Sequence, residues 1–542
     1  MLDQGHVLPH AIIDAASARG DALAMLDVAG RRRSFNDVRD EMMRWAGAYA
    51  ALGVTPGSTV LTMVPNSFEC YDVWLGLAWL RAIEVPANTG YRGPMLAYIL
   101  NNSEAALAVI SERYLDRLAL IADDLVHLKC LVVPDASGPL PSLPFEVRTG
   151  DDVLAGAPSG GAPSGGTPSG GLGPGPAYHD IAAMIYTSGT TGPSKGVLVP
   201  WAELYQFVEI QAPESLDQNR GYYSIYPGFH VSGKAMLYFT VIRGGYLVIR
   251  ETLAPGEFWN DVRTFDCQAA GLLGPIASLL MLAPPRPDDA DSPLESVYMG
   301  PIIPEVEEFK KRFGVRVGTG FGMTEIGAPL TSDGFNLANG RSCGRARTGP
   351  PGYQCRIVDE LDEPVAPGVV GELVVRSDDP WVLNAGYWRM PEKTAEAWRN
   401  GWFHTGDGFM CDEDGNFYFV DRLKDAIRRR GENISSFEVE AGINAHPSVA
   451  ESAVIAVPSE LGEDDVKALV VLRPGAQLDP RQLIEFLVPV MPRFMIPRYI
   501  EITAELPKTD ATFRTQKARL REDPLNEHTW DREAAGIVLP KA

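Results

Sequence analysis

Apolar and polar positions along this chain switch between a period near 3.6 and continuous apolar runs, and that switching predicts the elements. Ser34, followed three residues later by Asp37, offers an N-cap with an acid at N3. Val38, Met42, Trp45, Ala46 and Tyr49 then recur on one helical face. That face is read as core. Thr59-Val60-Leu61-Thr62-Met63-Val64 reads as a buried strand, and Cys70 to Ala82 as an apolar helix leading into Glu84-Val85-Pro86. Such alternation through the first two-thirds of the chain predicts a large α/β N-terminal domain with helix-covered sheets. From about Ala426 the style changes: helix-like SSFEVEAGINAHP, strand-like ESAVIAVP and KALVVLRP, helix-like DPRQLIEFLVPVM, then YIEITAELP. This predicts a small α+β C-terminal domain, with boundaries at 1–423 and 424–542. The charged, glycine-terminated run VDRLKDAIRRRGEN is the connector.

Composition adjusts this picture at few points. A chain of 542 residues exceeds one hydrophobic core, and its 45% hydrophobic and 22% charged residues are those of a globular protein. The net charge of −22 disfavours a nucleic-acid partner or a broad membrane-binding face. The six cysteines, scattered without a C-x-x-C pair, suit neither a zinc site nor a disulfide framework and point to a reducing cytoplasm. No secretory signal or transmembrane segment is expected. The most apolar stretch, Gly271 to Pro285, is interrupted by Gly274 and Pro275, whereas a spanning helix needs about 20 apolar residues. From Leu154 to Pro176 the sequence is an imperfect Gly/Pro/Ser repeat, expected as a flexible loop over 154–176.

Candidate chemistry follows that repeat. The strand-like Ile181–Tyr186 runs into Thr187-Ser188-Gly189-Thr190-Thr191-Gly192-Pro193-Ser194-Lys195-Gly196. Glycines let backbone N–H groups turn toward an anion, hydroxyls add donors, and Lys195 supplies a point charge. The spacing is not that of a Walker A loop. A Ser/Thr/Gly/Pro cluster alone would be a solvent loop; the preceding buried strand and the terminal Lys-Gly turn the reading toward a phosphate site.

The segment YTSGTTGPSKG resembles the phosphate loop of the adenylate-forming superfamily, which includes acyl-CoA synthetases, peptide-synthetase adenylation domains and luciferases. Further segments agree in order. YPGFH, ending at His230, resembles the segment whose aromatic residue gates the acyl pocket. FGMTE resembles the adenine, phosphate and magnesium segment, with Phe321, Gly322 and Thr324 as ATP contacts and Glu325 as metal ligand. Thr187 is implied as a second metal contact and Gly300 as a further ATP contact. GWFHTGD resembles the ribose segment, ending at Asp407. VDRLKDAIRRRGEN supplies a ribose-contacting Arg422 and a hinge at Lys424. Gly431, Glu432 and Asn433 would border the pantetheine tunnel, and Arg428 to Arg430 would meet the phosphates of coenzyme A. Each residue also has an ordinary reading: a surface glutamate for Glu325, a core aromatic for Phe321, a turn residue for Asp407, a buried and satisfied histidine for His230, a solvated face for the arginines.

The sequence departs from the family where a TGK-like segment is usual. ELPKTDATFRTQKARLR puts Phe513 at the glycine and Arg514 at the lysine, with Lys517 and Lys508 as other cations within reach. Arginine and lysine are not interchangeable where reach and shape matter.

The resemblance implies the adenylate-forming enzyme fold, with a mobile C-terminal domain, and an ATP- and Mg2+-dependent acid–CoA ligase. A carboxylate attacks the α-phosphate of ATP, and acyl-AMP then passes its acyl group to coenzyme A. Lys195, His230, Glu325 and Arg514 are the implied catalytic residues. Phe229 is followed by His230-Val231-Ser232 without the aspartate that amino-acid-activating relatives place there, which disfavours an amino-acid substrate. TFRTQK and WDREAAGI are similar to carnitine-CoA-ligase-like and very-long-chain or steroid acyl-CoA synthetases, which leans the substrate toward a bulky or aliphatic acid. An amide ligase, a carrier-loading enzyme and a nucleotide-binding regulatory protein with weakened adenylation stay open as alternatives, as does a homodimer. The chain ends with HTWDREAAGIVLPKA, so no carrier domain is expected.

Overall fold

The computed structural model describes residues 4–156, 172–187, 193–252, 254–303, 305–349, 352–422, 426–429, 432–459, 462–507, 515 and 517–539. Cα proximity divides the chain into two compact units. The first comprises Met1–Thr89, Leu100–Tyr186 and Gly196–Asp421; the second comprises Gly90–Ile99, Thr187–Lys195 and Arg422–Ala542.

Ser34 and Asp37 form a reciprocal capping box: Asp37 N–H donates to Ser34 Oγ at 3.2 Å and Ser34 N–H to Asp37 Oδ2 at 2.7 Å. The helix that follows, Phe35–Ala51, buries Val38, Met42, Trp45, Ala46 and Tyr49, the face its periodicity marked. It packs on the helix Phe68–Trp79, where a Cβ on Gly76 would collide with Trp45 Cβ. Glycine at 76 therefore sets how closely the two helices approach.

Two seven-stranded sheets organise the large unit. In one, the order across the sheet is Arg316–Gly318, Ser296–Met299, Cys267–Leu272, Gly221–Ser224, Tyr246–Ile249, Leu23–Asp27, Arg32–Ser34, parallel except for the last pair. In the other it is Glu146–Thr149, Cys130–Val133, Leu107–Ile110, Thr59–Met63, Ile83–Pro86, Ile181–Thr187, Lys195–Pro200. The apolar run at 59–64 is thus a central strand, and the stretch from Gly271 divides into the end of a strand and the helix Gly274–Leu282. Trp74 and Trp201 stack 5.5 Å apart in the core, and Trp74 Nε1–H donates to Ala182 O at 3.0 Å. A four-stranded antiparallel sheet, Gln354–Val358, Gly371–Arg376, Phe403–Cys411 and Phe417–Arg422, completes the unit with a hairpin over Gly320–Thr331.

Of the segment 154–176, both ends are described. Leu154 and Ala155 close the helix Gly150–Ala155, capped by Thr149 Oγ1 accepting from Asp152 N–H at 3.1 Å. Gly175 and Pro176 are buried, with Pro176 O 2.9 Å from His10 Nε2. The ends are held because local caps and a packed histidine reach them; residues 157–171 lie outside the described residues. Among the described residues no helix is long and apolar enough to cross a membrane, and none of the six cysteines is in a disulfide.

In the second unit the hairpin Ala426–Arg429/Glu432–Ser435 leads into the helix Ser436–Asn444. Strands Val449–Pro458, Asp464–Leu472, Tyr499–Thr503 and Trp530–Asp531 form a mixed sheet. The helix Pro480–Leu487 is started by a capping box on Asp479 and buries Leu483, Ile484 and Leu487. Ile427, Ile434, Val439, Ile443, Val454 and Val466 belong to the same core. The predicted α+β elements are all present.

Candidate active site

Glu325 sits in the turn Thr324–Ile326 between the strands Gly320–Met323 and Gly327–Thr331. The turn depends on glycine. Gly327 has φ +61, and a Cβ on Gly322 would fall 2.5 Å from Gly327 O. The main-chain carbonyl of Glu325 accepts from both Asn384 N–H at 3.1 Å and Asn384 Nδ2–H at 2.6 Å, while Tyr387 Oη–H donates to its carboxylate at 3.3 Å. Glu325 is buried, so its carboxylate is presented by a fixed backbone.

A second acid stands beside it. Glu203, on the helix Trp201–Glu209, is fully buried; its Oε1 accepts from Gly327 N–H at 3.1 Å and its Oε2 has no hydrogen-bond partner among the described residues. Burial, and then the neighbouring Glu325, push its carboxyl well above the ordinary range. The raised value carries a sign. A carboxyl whose folded pKa is raised stabilises the fold below its unfolded value, and that contribution is lost as pH rises through the folded value. Glu203→Gln keeps the acceptor for Gly327 and removes the titration. Its melting temperature should fall less than that of wild type between about pH 5 and about pH 9; parallel curves would mean that Glu203 is ionised in the folded protein.

Asp407 is not in a loop. It is buried inside the strand Phe403–Cys411, against Gly371–Arg376. Glu372 pairs with Gly408 and Val374 with His404, so Thr405-Gly406-Asp407 bulge out opposite the single Leu373. Gly406 takes φ +71, its N–H donates to Glu372 Oε1 at 2.8 Å, Thr405 Oγ1–H donates to Leu373 O at 2.7 Å, and Asp407 N–H donates to Thr405 Oγ1 at 3.1 Å. Phe321 is half-buried, with its ring edge-on to Phe409 at 4.8 Å. Gly300 N–H donates to Leu272 O at 3.1 Å.

His230 is the N-cap residue of the helix Val231–Arg243; its ring is half-buried and lies 4.8 Å from that of Phe229. The turn before it needs Gly233, where a Cβ would collide with Pro227 O. Below this turn Lys234 and Glu84, each 1% exposed, form an ion pair. Lys234 Nζ lies 4.1 Å over the Trp74 ring, and Thr62 Oγ1–H donates to Glu84 at 2.8 Å. Burial pushes the Glu84 carboxyl up and Lys234 pulls it back, with burial the larger effect.

The second unit holds the other predicted residues. Thr187 ends one strand and Lys195 begins the next; Ser188 to Gly192 lie outside the described residues. Ser194 is buried, its Oγ–H donating to Glu438, and its carbonyl accepts from Tyr98 Oη–H at 3.0 Å. Arg428 is exposed, with its N–H on Asp464 Oδ2 at 3.2 Å. Arg429 is buried on Asp465 at 2.9 Å and on the carbonyl of Ile496 at 2.9 Å, which makes it a structural guanidinium. Glu432 and Asn433 lie in the hairpin strand, and Arg422 ends the strand Phe417–Arg422. Lys517 is held by Glu440 at 2.6 Å and by Ser436 Oγ at 2.7 Å. Lys424, Arg430, Gly431, Lys508, Phe513 and Arg514 lie outside the described residues.

Glu203, Asn384 and Tyr387 escaped the sequence reading. Glu203 had a signal: an acid on an otherwise apolar helix, WAELYQFV, is costly to bury without a task. Asn384 and Tyr387 had none, because their roles come from a fold-back onto Glu325.

A large α/β unit with buried acids on glycine-shaped turns, carried with a small α+β unit, is the architecture of adenylate-forming enzymes. The AMP-binding enzyme family matches residues 13–388, and the AMP-binding enzyme C-terminal domain matches 438–512; the chain belongs to this family. Crotonobetaine/carnitine–CoA ligase of Salmonella agona is 30% identical over 518 residues, covering 91% of this chain and 95% of that one. Among solved structures, the amide bond synthetase McbA from Marinactinospora thermotolerans has a TM-score of 0.80 at 23% identity, covering 95% of this chain and 99% of its own. A Mycobacterium tuberculosis fatty acyl CoA synthetase has a TM-score of 0.63 at 24% identity, covering 96% and 99%. These two likenesses bear on the fold.

Proposed function

We propose that this protein is an ATP-dependent acid–CoA ligase that makes acyl-AMP from a carboxylic acid and then acyl-CoA, releasing pyrophosphate and AMP. The observation that carries the reading is the near full-length similarity to crotonobetaine/carnitine–CoA ligases. The substrate carboxylate is already ionised at neutral pH, so the protein's task is to hold two anions in line and offset charge at the α-phosphate. Lys195 and the donors from Thr187 to Gly192 would take the phosphates; Asp407 and Arg422 the ribose; Phe321, Gly322, Thr324 and Gly300 the rest of the nucleotide. Glu325 suits magnesium by its chemistry, and Thr187 is the second contact that the family resemblance implies. A hard oxygen donor held by Asn384 and Tyr387 is what that ion takes when phosphates complete its shell. When bound, magnesium neutralises phosphate charge.

In the second half-reaction the thiol of coenzyme A attacks the acyl carbon and AMP leaves. Glu432, Asn433 and Gly431 would border its path, Arg428 would face its phosphates, His230 would gate the acyl site, and Lys424 would be the hinge between residues 1–423 and 424–542. A cytoplasmic location fits six cysteines that form no disulfide.

The test is pyrophosphate release with a panel of acids, with and without coenzyme A. CoA-dependent turnover is expected; full turnover without coenzyme A would favour amide formation or carrier loading, and no release with any acid would overturn the reading. In the same assay Arg514→Ala should slow adenylation by about 10²-fold or more while sparing thioester formation from supplied acyl-AMP. Lys517→Ala should instead lower the melting temperature of the second unit, since its ammonium serves Glu440 and Ser436.

A further inference from the structure

Three phenol groups converge in the first seven-stranded sheet. Tyr222 lies in the strand Gly221–Ser224, Tyr226 just beyond its carboxyl end, and Tyr298 in the strand Ser296–Met299. Between these strands runs Cys267–Leu272, and Gly271 near its end provides the room. A Cβ on Gly271 would collide with the Tyr226 ring and fall 2.7 Å from Tyr226 Oη and 2.8 Å from Tyr222 Oη. Carboxyl ends of parallel strands are where open α/β sheets bind ligands.

The three hydroxyls differ in their partners. Tyr222 Oη accepts from Gln211 Nε2–H at 3.1 Å. Tyr298 Oη is shielded from water and has no hydrogen-bond partner among the described residues. It lies against Gly320, where a Cβ would collide with it, immediately before Phe321 and the turn that carries Glu325. An orphaned buried hydroxyl is a standing cost that native proteins keep for a reason, and a ligand acceptor is one such reason.

We propose that Tyr298 is a specificity residue whose hydroxyl donates to an oxygen on the acyl portion of the substrate. The substrate class is then a carboxylic acid that carries a hydroxyl or carbonyl oxygen, in place of a plain alkyl acid. The inference rests on the ligase reading and deepens it. The Tyr226 ring and the Tyr222 hydroxyl crowd Gly271, and the Tyr298 hydroxyl crowds Gly320.

The test pairs each hydroxy or keto acid, with the oxygen at successive carbons, against its methylene analogue, reading pyrophosphate release by wild type, Tyr298→Phe and Tyr222→Phe. Wild type should favour the best oxygenated acid by at least about 10-fold in kcat/KM. Tyr298→Phe should bring that ratio near one by losing activity on the oxygenated acid, and Tyr222→Phe should keep it. In the absence of substrate Tyr298→Phe should melt no lower than wild type, because the hydroxyl it removes has no partner. Equal rates for both acids in wild type, or a ratio that survives Tyr298→Phe, would overturn the inference and leave the ligase reading standing. A lower melting temperature with equal slowing on both acids would make the hydroxyl structural and overturn it too. No release with any acid would bring down the ligase reading, and this inference with it.

Discussion

Lys234→Met is expected to destabilise the first unit by about 3–5 kcal/mol, the cost of leaving one member of a buried ion pair alone. Glu84 would keep the Thr62 hydroxyl as its partner while staying buried. Burial, no longer opposed, would raise its carboxyl further, and a raised carboxyl loses its stabilising contribution as pH rises. The deficit should therefore be larger at about pH 8 than at about pH 6. Lys234→Met combined with Glu84→Leu should recover most of the loss, since two apolar groups of similar shape need no partner. Calorimetric unfolding of the four proteins across pH forms the cycle; additive losses in the double variant would show that the pair is not coupled.

Glu325→Gln is expected to reduce pyrophosphate release by roughly 10²–10³-fold, the scale seen when one electrostatic contact to a developing charge is lost. The amide keeps the shape and an acceptor for Tyr387 but gives up the negative charge. The concentration of Mg2+ for half-maximal rate should rise in the variant, and melting should change little, because the Asn384 contacts are to the backbone carbonyl. An unchanged magnesium dependence would remove Glu325 from the metal site and leave its carboxylate a structural role.

Much of the architecture was legible because it is written in local periodicity. The helix at 35–51 announces its cap, its buried face and its length within its own residues. The strands at 59–63 and 181–187 are short apolar runs between polar turns. Asp407 was harder, because a run of His-Thr-Gly-Asp has turn chemistry, and only pairing with Glu372 and Val374 keeps it inside a strand. The pairs Lys234–Glu84 and Glu203–Glu325 join residues far apart in sequence, so no window along the chain contains them. Tyr298 reads as an ordinary strand aromatic until the missing side chain at Gly320 is seen to make room for its hydroxyl.

The bulge at Thr405-Gly406-Asp407 gives the strand an unusual rule for change over time. The bulge sets where Asp407 points, so adding or deleting one residue between Phe403 and Phe409 would change its length and with it that direction. Point substitutions there alter what the carboxylate touches, while a change of length alters where it points. Descendants of this gene can therefore drift in composition along Phe403–Cys411 far more freely than they can gain or lose a codon.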